Sequence, residues 1–229
     1  MIDIHTHVLP NVDDGSESYS QSLEMVKVAS EQGVTDLILT PHLRGDYRLT
    51  KEDLTTLYEK FCAKVKEDGV DINLYLGQEI FIEKDFKKYF LENPILTING
   101  SKFVLVEFDY NKDVDIAEVV YDLTLLNFIH IIAHFERYSY ADISVAHEIK
   151  SLGGYIQINA DSLVGKNKKA YFKKVKKLFK EGLVDFVASD VHYFRENNLK
   201  KAFDFVAKKF GADVADLVFN KNALQIING

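Results

Sequence analysis

A single cysteine, Cys62, is all the thiol that this 229-residue chain carries. One thiol excludes an intramolecular disulfide and any zinc module built on paired cysteines. Cys62 falls among Leu54, Leu57, Tyr58, Phe61 and Val65 at helical spacing, which predicts a helix core residue. Prolines number three, and no stretch rich in Pro, Gly or Ser reads as a linker, so a single domain over residues 1–229 is the economical expectation. No apolar run reaches bilayer-spanning length, and the first residues lack a basic segment followed by an apolar one. A cytoplasmic protein without membrane insertion is expected. The formal net charge of -7 leaves no overall electrostatic footprint for nucleic acid, and no basic, aromatic-lined stretch argues for a nuclease. Arginine is scarce as well: Arg44, Arg48, Arg137 and Arg195 stand against twenty-four lysines.

What the chain does have is alternation. Short segments rich in Ile, Val and Leu alternate with longer amphipathic ones, the pattern of β–α units around a parallel sheet. Strands are predicted over 2–7, 36–40, 72–79, 103–108, 129–134, 155–160 and 186–190. Helices are predicted over 17–32, 51–68, 83–91, 114–127, 142–152, 168–181 and 198–210, with a C-terminal one near 213–219. Gly33 and Gly69 stop the first two helices, and Thr50 with Asp53 three residues on starts the second.

The polar residues gather at one end of this scheme. His5 and His7 alternate with Ile2 and Ile4 in MIDIHTH, so two imidazoles share one face of the first strand. Asp13 and Asp14 follow on a turn ended by Gly15. His42 follows the second strand, Glu79 closes the third, Glu107 the fourth and His134 the fifth; Asp190 and His192 follow the seventh. Parallel β/α architectures place active sites at this end, where the βα loops converge. Any one of these residues has a plain structural explanation, as a buried histidine or a capping aspartate. Six of seven strand ends carrying such a residue is not a pattern that packing asks for.

Five imidazoles and four carboxylates exceed what one ion accepts, so two or three divalent ions are implied. Ligands of mixed nitrogen and oxygen without thiolate suit Mn²⁺, Fe²⁺ or Zn²⁺. Each arginine lies within six residues after one of these histidines, and a guanidinium offers the planar fork that matches phosphate oxygens. A phosphate ester is the expected substrate. Arg137 and Arg195, each three residues after a histidine, are its strongest candidate contacts.

IDIHTHVLPNVDDG, LTPH, GQEI, VEF, AHFERY and ASDVH follow one another in an order and spacing that resembles the polymerase and histidinol phosphatase (PHP) superfamily over almost the full length. Within it, the chain is similar to the bacterial protein-tyrosine phosphatases of capsule and exopolysaccharide systems, the CpsB/CapC type. The resemblance implies a distorted seven-stranded (β/α)7 barrel with a trinuclear site, often active with manganese; Mg²⁺ and Co²⁺ join the other compatible ions. It implies that His5, His7, Glu79 and Asp190 hold one ion, Glu79, Glu107 and His134 a second, and Asp14, His42 and His192 a third. Arg137 and Arg195 would contact the phosphate, with Arg44 nearby. The implied reaction is direct hydrolysis, a hydroxide shared between ions attacking the phosphorus of phosphotyrosine on a tyrosine autokinase of polysaccharide export. No phosphocysteine forms in such a scheme, so Cys62 is not expected to act. The chain departs from the usual family sequence at Phe135, where Pro is frequent, at Leu43, where a second His is common, and at SDVHYF, which sets Tyr193 beside the site. These departures bear on the mouth of the pocket.

Two other classes compete: a small-molecule phosphomonoesterase such as histidinol-phosphate phosphatase, and a non-catalytic binding module on the same scaffold. Residues 165–182 hold eight lysines around Tyr171, Phe172, Val175, Leu178 and Phe179, an amphipathic helix that reads as a solvated barrel helix or a docking face for an acidic, phosphorylated tail. His130 reads as a core residue, His147 as outward-facing on its helix, and Asn159 and Asp161 as supports at the one strand end without a ligand.

Overall fold

The computed structural model describes residues 1–228. Every predicted strand forms, and the third is broken. The strands are β1 (Ile2–Thr6), β2 (Asp36–Leu39), β3 (His42–Leu43), β4 (Asn73–Leu76), β5 (Glu79–Phe81), β6 (Phe103–Glu107), β7 (Ile129–Ile132), β8 (Tyr155–Asn159) and β9 (Phe186–Ala188). They pair in parallel as a three-stranded sheet, β1-β2-β4, and a six-stranded sheet, β3-β5-β6-β7-β8-β9. Pro41 has no N–H to give a ladder, so the second predicted strand ends as β2 before it, and β3, a short strand beyond the predicted 36–40, resumes after it. The third divides beside it at Gly77 and Gln78. Hydrogen bonds bridge both breaks, from Gly77 N–H to Leu39 O at 2.8 Å and from Glu79 N–H to Pro41 O at 3.1 Å. The first and last strands also touch: Thr6 bridges Val191, and Asp190 N–H donates to His5 O at 3.0 Å.

Helices follow the strands as the periodicity predicts. They are α1 (Tyr19–Glu31), α2 (Lys51–Glu67), α3 (Phe86–Glu92), α4 (Ile116–Leu125), α5 (Ile143–Ser151), α6 (Ala160–Leu163), α7 (Lys169–Lys180), α8 (Leu199–Phe210), α9 (Ala212–Asp216) and α10 (Asn222–Ile227). Thr50 caps α2, its hydroxyl accepting from Asp53 N–H. The C-terminal helical run extends past the expected 213–219 through a π-helical turn, Leu217–Lys221, to Ile227, because Ala223 and Ile226 bury against the strands. Cys62 corrects its expectation: Leu54, Phe61 and Val65 form the buried stripe of α2, and Cys62 sits half-buried at its flank. Among the described residues, no helix is long and apolar enough to cross a membrane.

Two apolar clusters flank the sheets. The larger joins one face of the strands to the helices. The smaller contains Ile2, Ile4, Ile38, Phe103, Leu105, Ile131, Phe186 and Ala188 from the opposite face. Along that face the side-chain period of two runs from Ile38 to His42, from Tyr75 to Glu79, from Leu105 to Glu107 and from Phe186 to Asp190. The face that is apolar along most of each strand therefore becomes ligand-bearing at its C-terminal end.

Candidate metal centre

Three local irregularities bring the remaining ligands onto that face. The β1–β2 register shifts between Asp3 and Thr6, which re-aims the strand so that His5 and His7 both turn toward Glu79. His134 and Asp190 adopt left-handed backbone conformations, with φ of 34° and 51°. Non-glycine residues hold that region at a cost, and here each turns the chain sharply at a strand end. Gly15 is required for a different reason. A Cβ there would lie 2.0 Å from His7 O, so only glycine lets the Asp13–Asp14 turn close against His7.

All nine predicted metal ligands meet in one cluster. Their donor atoms converge in four overlapping groups: His7, Asp14, His42 and His192; His5, His7 and Asp190; His5, Glu79 and His134; and His42, Glu79 and Glu107. The third expected set, Asp14, His42 and His192, is assembled with His7 added. His5, His7 and Asp190 of the first set also meet. Glu107 groups with His42, at 3.3 Å, more closely than with His134, at 3.9 Å. Eight of the nine are buried, and Asp14 lies at the opening with its side chain 41% exposed.

The donors fit divalent cations by orientation as well as by type. His7 Nδ1 donates to Asp13 Oδ2 at 2.8 Å and His5 Nδ1 to Gln157 Oε1 at 3.2 Å, so each ring directs Nε2 inward. Those two Nε2 atoms are 3.2 Å apart, a contact in which both cannot be donors and acceptors to advantage. His42 Nδ1 lies 2.8 Å from Glu79 Oε2, yet neither atom makes a hydrogen bond, because the approach lacks hydrogen-bond directionality. Buried lone pairs converging without partners suit a shared cation. Charge tells the same story. Burial opposes ionisation of Glu79, but His5 and His42 overcome it and hold its pKa well below the usual range. Burial likewise opposes ionisation of Asp190, and Arg137 with His7 and His5 reverses that. Burial disfavours a charged His42, yet Glu79 pushes its pKa up to about 9. His7 is raised well above its ordinary value against burial, chiefly by Asp13. The carboxylates of this centre call for positive charge.

Over the cluster opens a cavity of about 120 Å³, and Arg44, Arg137 and Arg195 stand on its wall. Arg137 donates to Asp190 Oδ2 at 2.7 Å, Arg195 to the same oxygen at 3.2 Å, and Arg44 to Glu107 Oε1 at 3.2 Å. Arg48 lies elsewhere, on the surface, paired with Glu83.

Four further residues complete the site. Asp13 fixes His7 and also accepts from His42 N–H at 3.0 Å; its place in VDDG was visible in the sequence, its partners were not. Gln157 accepts from His134 N–H at 2.8 Å, and Asn159 donates to Asp190 at 2.6 Å, as a supporting residue at that strand end should. Asp161 instead accepts from Asn198, away from the cluster. Tyr110 lines the cavity, its hydroxyl 3.4 Å from Glu107 and 3.3 Å from His134 Nε2, and no motif pointed to it. Of the departures from family sequence, Phe135 and Leu43 are buried and do not shape the mouth. Tyr193 lines a neighbouring groove, where it donates to Glu24.

With this geometry in view, comparison with known proteins is specific. The tyrosine-protein phosphatase YwqE of Bacillus subtilis is 30% identical over 237 residues, spanning 100% of this chain and 92% of the relative. Crystal structures of YwqE and of CpsB from Streptococcus pneumoniae, described as unique metal-dependent tyrosine phosphatases, match with a TM-score of 0.90 at 28% identity, over 100% of this chain and 94% of the other. A histidinol phosphate phosphatase of Lactococcus lactis, complexed with zinc, L-histidinol and phosphate, shares the fold at 14% identity, with a TM-score of 0.57 over 93% of each chain. Residues 1–228 match the model of the family described as "Capsular polysaccharide synthesis, CpsB/CapC", and the chain belongs to that family.

Proposed function

We propose that this protein is a metal-dependent protein-tyrosine phosphatase of capsular or exopolysaccharide synthesis, hydrolysing phosphotyrosine on a tyrosine autokinase of polysaccharide export. The observation that carries this reading is a narrow, arginine-walled cavity directly over a carboxylate–imidazole cluster. At about 120 Å³ it is smaller than the ~300–1,000 Å³ typical of pockets that swallow a whole small molecule. A phosphoryl group enters and the rest of a large substrate stays outside. Full-length similarity to tyrosine phosphatases favours this reading over histidinol phosphate, whose enzyme shares the fold alone.

His5, His7, Asp14, His42, Glu79, Glu107, His134, Asp190 and His192 would hold two or three ions, with Glu79 central, and Mn²⁺ is the leading candidate ahead of Fe²⁺, Zn²⁺, Mg²⁺ or Co²⁺. Bound there, divalent cations supply Lewis-acid neutralisation of phosphoryl charge and a water acidic enough to act at neutral pH. Arg137 and Arg195 bind and orient the phosphoryl oxygens, Arg44 adds positive charge at the rim, and Asp13 and Gln157 keep the imidazoles aimed. The strand order, the hydrogen bonds across both breaks and the Thr6–Val191 bridge support a distorted seven-stranded barrel, with β2–β3 and β4–β5 each counted once. A single cytoplasmic domain over residues 1–229 completes the reading.

The test is hydrolysis of a phosphotyrosine peptide beside histidinol phosphate, with Mn²⁺ and after chelation, using His5→Ala as the blank. Metal-dependent turnover of the peptide alone is expected. Preference for histidinol phosphate overturns the substrate, and no turnover of either overturns the enzyme.

A further inference from the structure

Charge is not spread evenly over this acidic chain. Residues 166–209 hold thirteen Lys and Arg against five Asp and Glu, while the remainder holds fifteen against thirty. Two of those five acids, Asp185 and Asp190, are buried, so the surface of this sector is more basic still. Its two helices pack side by side through Phe172 and Phe205, with ring centroids 6.0 Å apart, and through stacked Phe179 and Phe210 at 4.5 Å. Lys169, Lys173, Lys177 and Lys180 all project from α7 into solvent. Among the described residues, none of these four has a carboxylate within 4 Å.

Two grooves lie along this sector beside the catalytic cavity, each sharing a lining residue with the next. The first, of about 480 Å³, runs between α1 and the segment after β9, and it shares Arg195 with the cavity over the metal cluster. The second, of about 540 Å³, lies between α7 and α8 and shares Lys201 with the first. Their floors are apolar, Met25 and Val28 in one and Phe172 and Phe205 in the other; Arg195, Lys200 and Lys201 line the first beside Glu24 and Glu196, with Lys201 paired to Glu196, and Lys169 and Lys201 line the second. A path of this kind holds an extended chain, whose backbone needs a trough and whose side chains meet alternate walls.

We propose that this track is the docking site for the polypeptide flanking the phosphotyrosine, and that it selects acidic segments. The inference rests on the phosphatase reading and adds to it a substrate class. Adjacency to the cavity through Arg195 favours a peptide. An anionic membrane would meet the exposed lysines without needing the grooves.

The experiment compares the Mn²⁺-loaded enzyme with a Lys169→Glu/Lys201→Glu variant, both positions being exposed. Three substrates are used: free phosphotyrosine, a phosphotyrosine peptide with acidic flanks, and the same peptide with neutral flanks. For the wild type, kcat/KM should favour the acidic peptide, and added salt should narrow the gap. The variant should lose about tenfold or more on the acidic peptide, through KM, while free phosphotyrosine changes less than about twofold. Anisotropy of a labelled acidic peptide carrying a non-hydrolysable phosphotyrosine mimic should weaken in parallel. Equal losses on all three substrates, or no loss on the acidic peptide, overturn the proposal. So does a variant that keeps peptide turnover but loses binding to vesicles of anionic lipid, which assigns the surface to a membrane. Failure of wild type on free phosphotyrosine and both peptides strikes instead at the phosphatase reading.

Discussion

His130 and His134 lie four residues apart, on and just past one strand, and have opposite fates. His134 sits where the strand ends, 2.8 Å from Glu79 and 3.3 Å from the Tyr138 hydroxyl. His130 lies near the other end of the strand, buried, and among the described residues neither ring nitrogen has a hydrogen-bond partner. Burial pushes its pKa down to about 4, so the neutral ring is the stable form above that pH. The contrast separates two regions. At the closed end a polar ring is tolerated as packing, and at the open end the same side chain belongs to a network of imidazoles and buried carboxylates.

Several substitutions test that division, the largest effects at the open end. Glu79→Gln removes the carboxylate shared by two of the four donor groups and leaves its geometry nearly intact. Turnover should fall by about a thousandfold or more, with loss of bound metal by elemental analysis. A folded variant with ordinary activity would place the chemistry elsewhere. Gly15→Ala forces a methyl into His7, so the Asp13–Asp14 turn must move; activity and metal content should both drop at least about a hundredfold, with unchanged far-ultraviolet circular dichroism. Asp13→Asn keeps the shape but weakens the partner that orients His7, and metal affinity measured by competition with a chelator should fall about 10–100-fold.

The closed end predicts a pH effect instead. Below its ordinary pKa of 6.5 an unfolded His130 takes up a proton that the native one refuses until about pH 4. The native state therefore loses ground as pH falls through that window, by up to about 3 kcal/mol. His130→Leu should match wild type at pH 8 and gain on it steadily from pH 6.5 to 4 in urea unfolding, with turnover unchanged. A constant stability difference across this range would show that His130 is not excluded from water. The smallest effect belongs to Cys62→Ser, at a half-buried position on α2 that belongs to none of the donor groups, which should leave activity intact.

Much of this division was legible in the sequence, because period two and strand length are local properties. Ile38 to His42 and Leu105 to Glu107 can be followed by counting, and so can their shared face. The register shift in β1 and the left-handed turns at His134 and Asp190 could not be counted, since they are imposed by neighbouring strands. For the same reason the break at Gly77 was read through as a single strand, and the short strand after Pro41 was not read at all. Tyr110 was invisible because its role comes from the fold of a loop rather than from a motif. Cys62 was misjudged because helical spacing places a residue near a stripe without saying on which side of its edge it falls.

One contact also sets a schedule for the living chain. Asp190 N–H reaches back to His5 O, and Thr6 bridges Val191, so the beginning and the last strand close the centre together. A ribosome exposes His5 and His7 early, but Asp190 and His192 come only after some 185 further residues, about 10–40 s later at ordinary elongation rates. Until then the early histidines stand on an unfinished chain, and the nine donors come together only once Asp190 and His192 have been made.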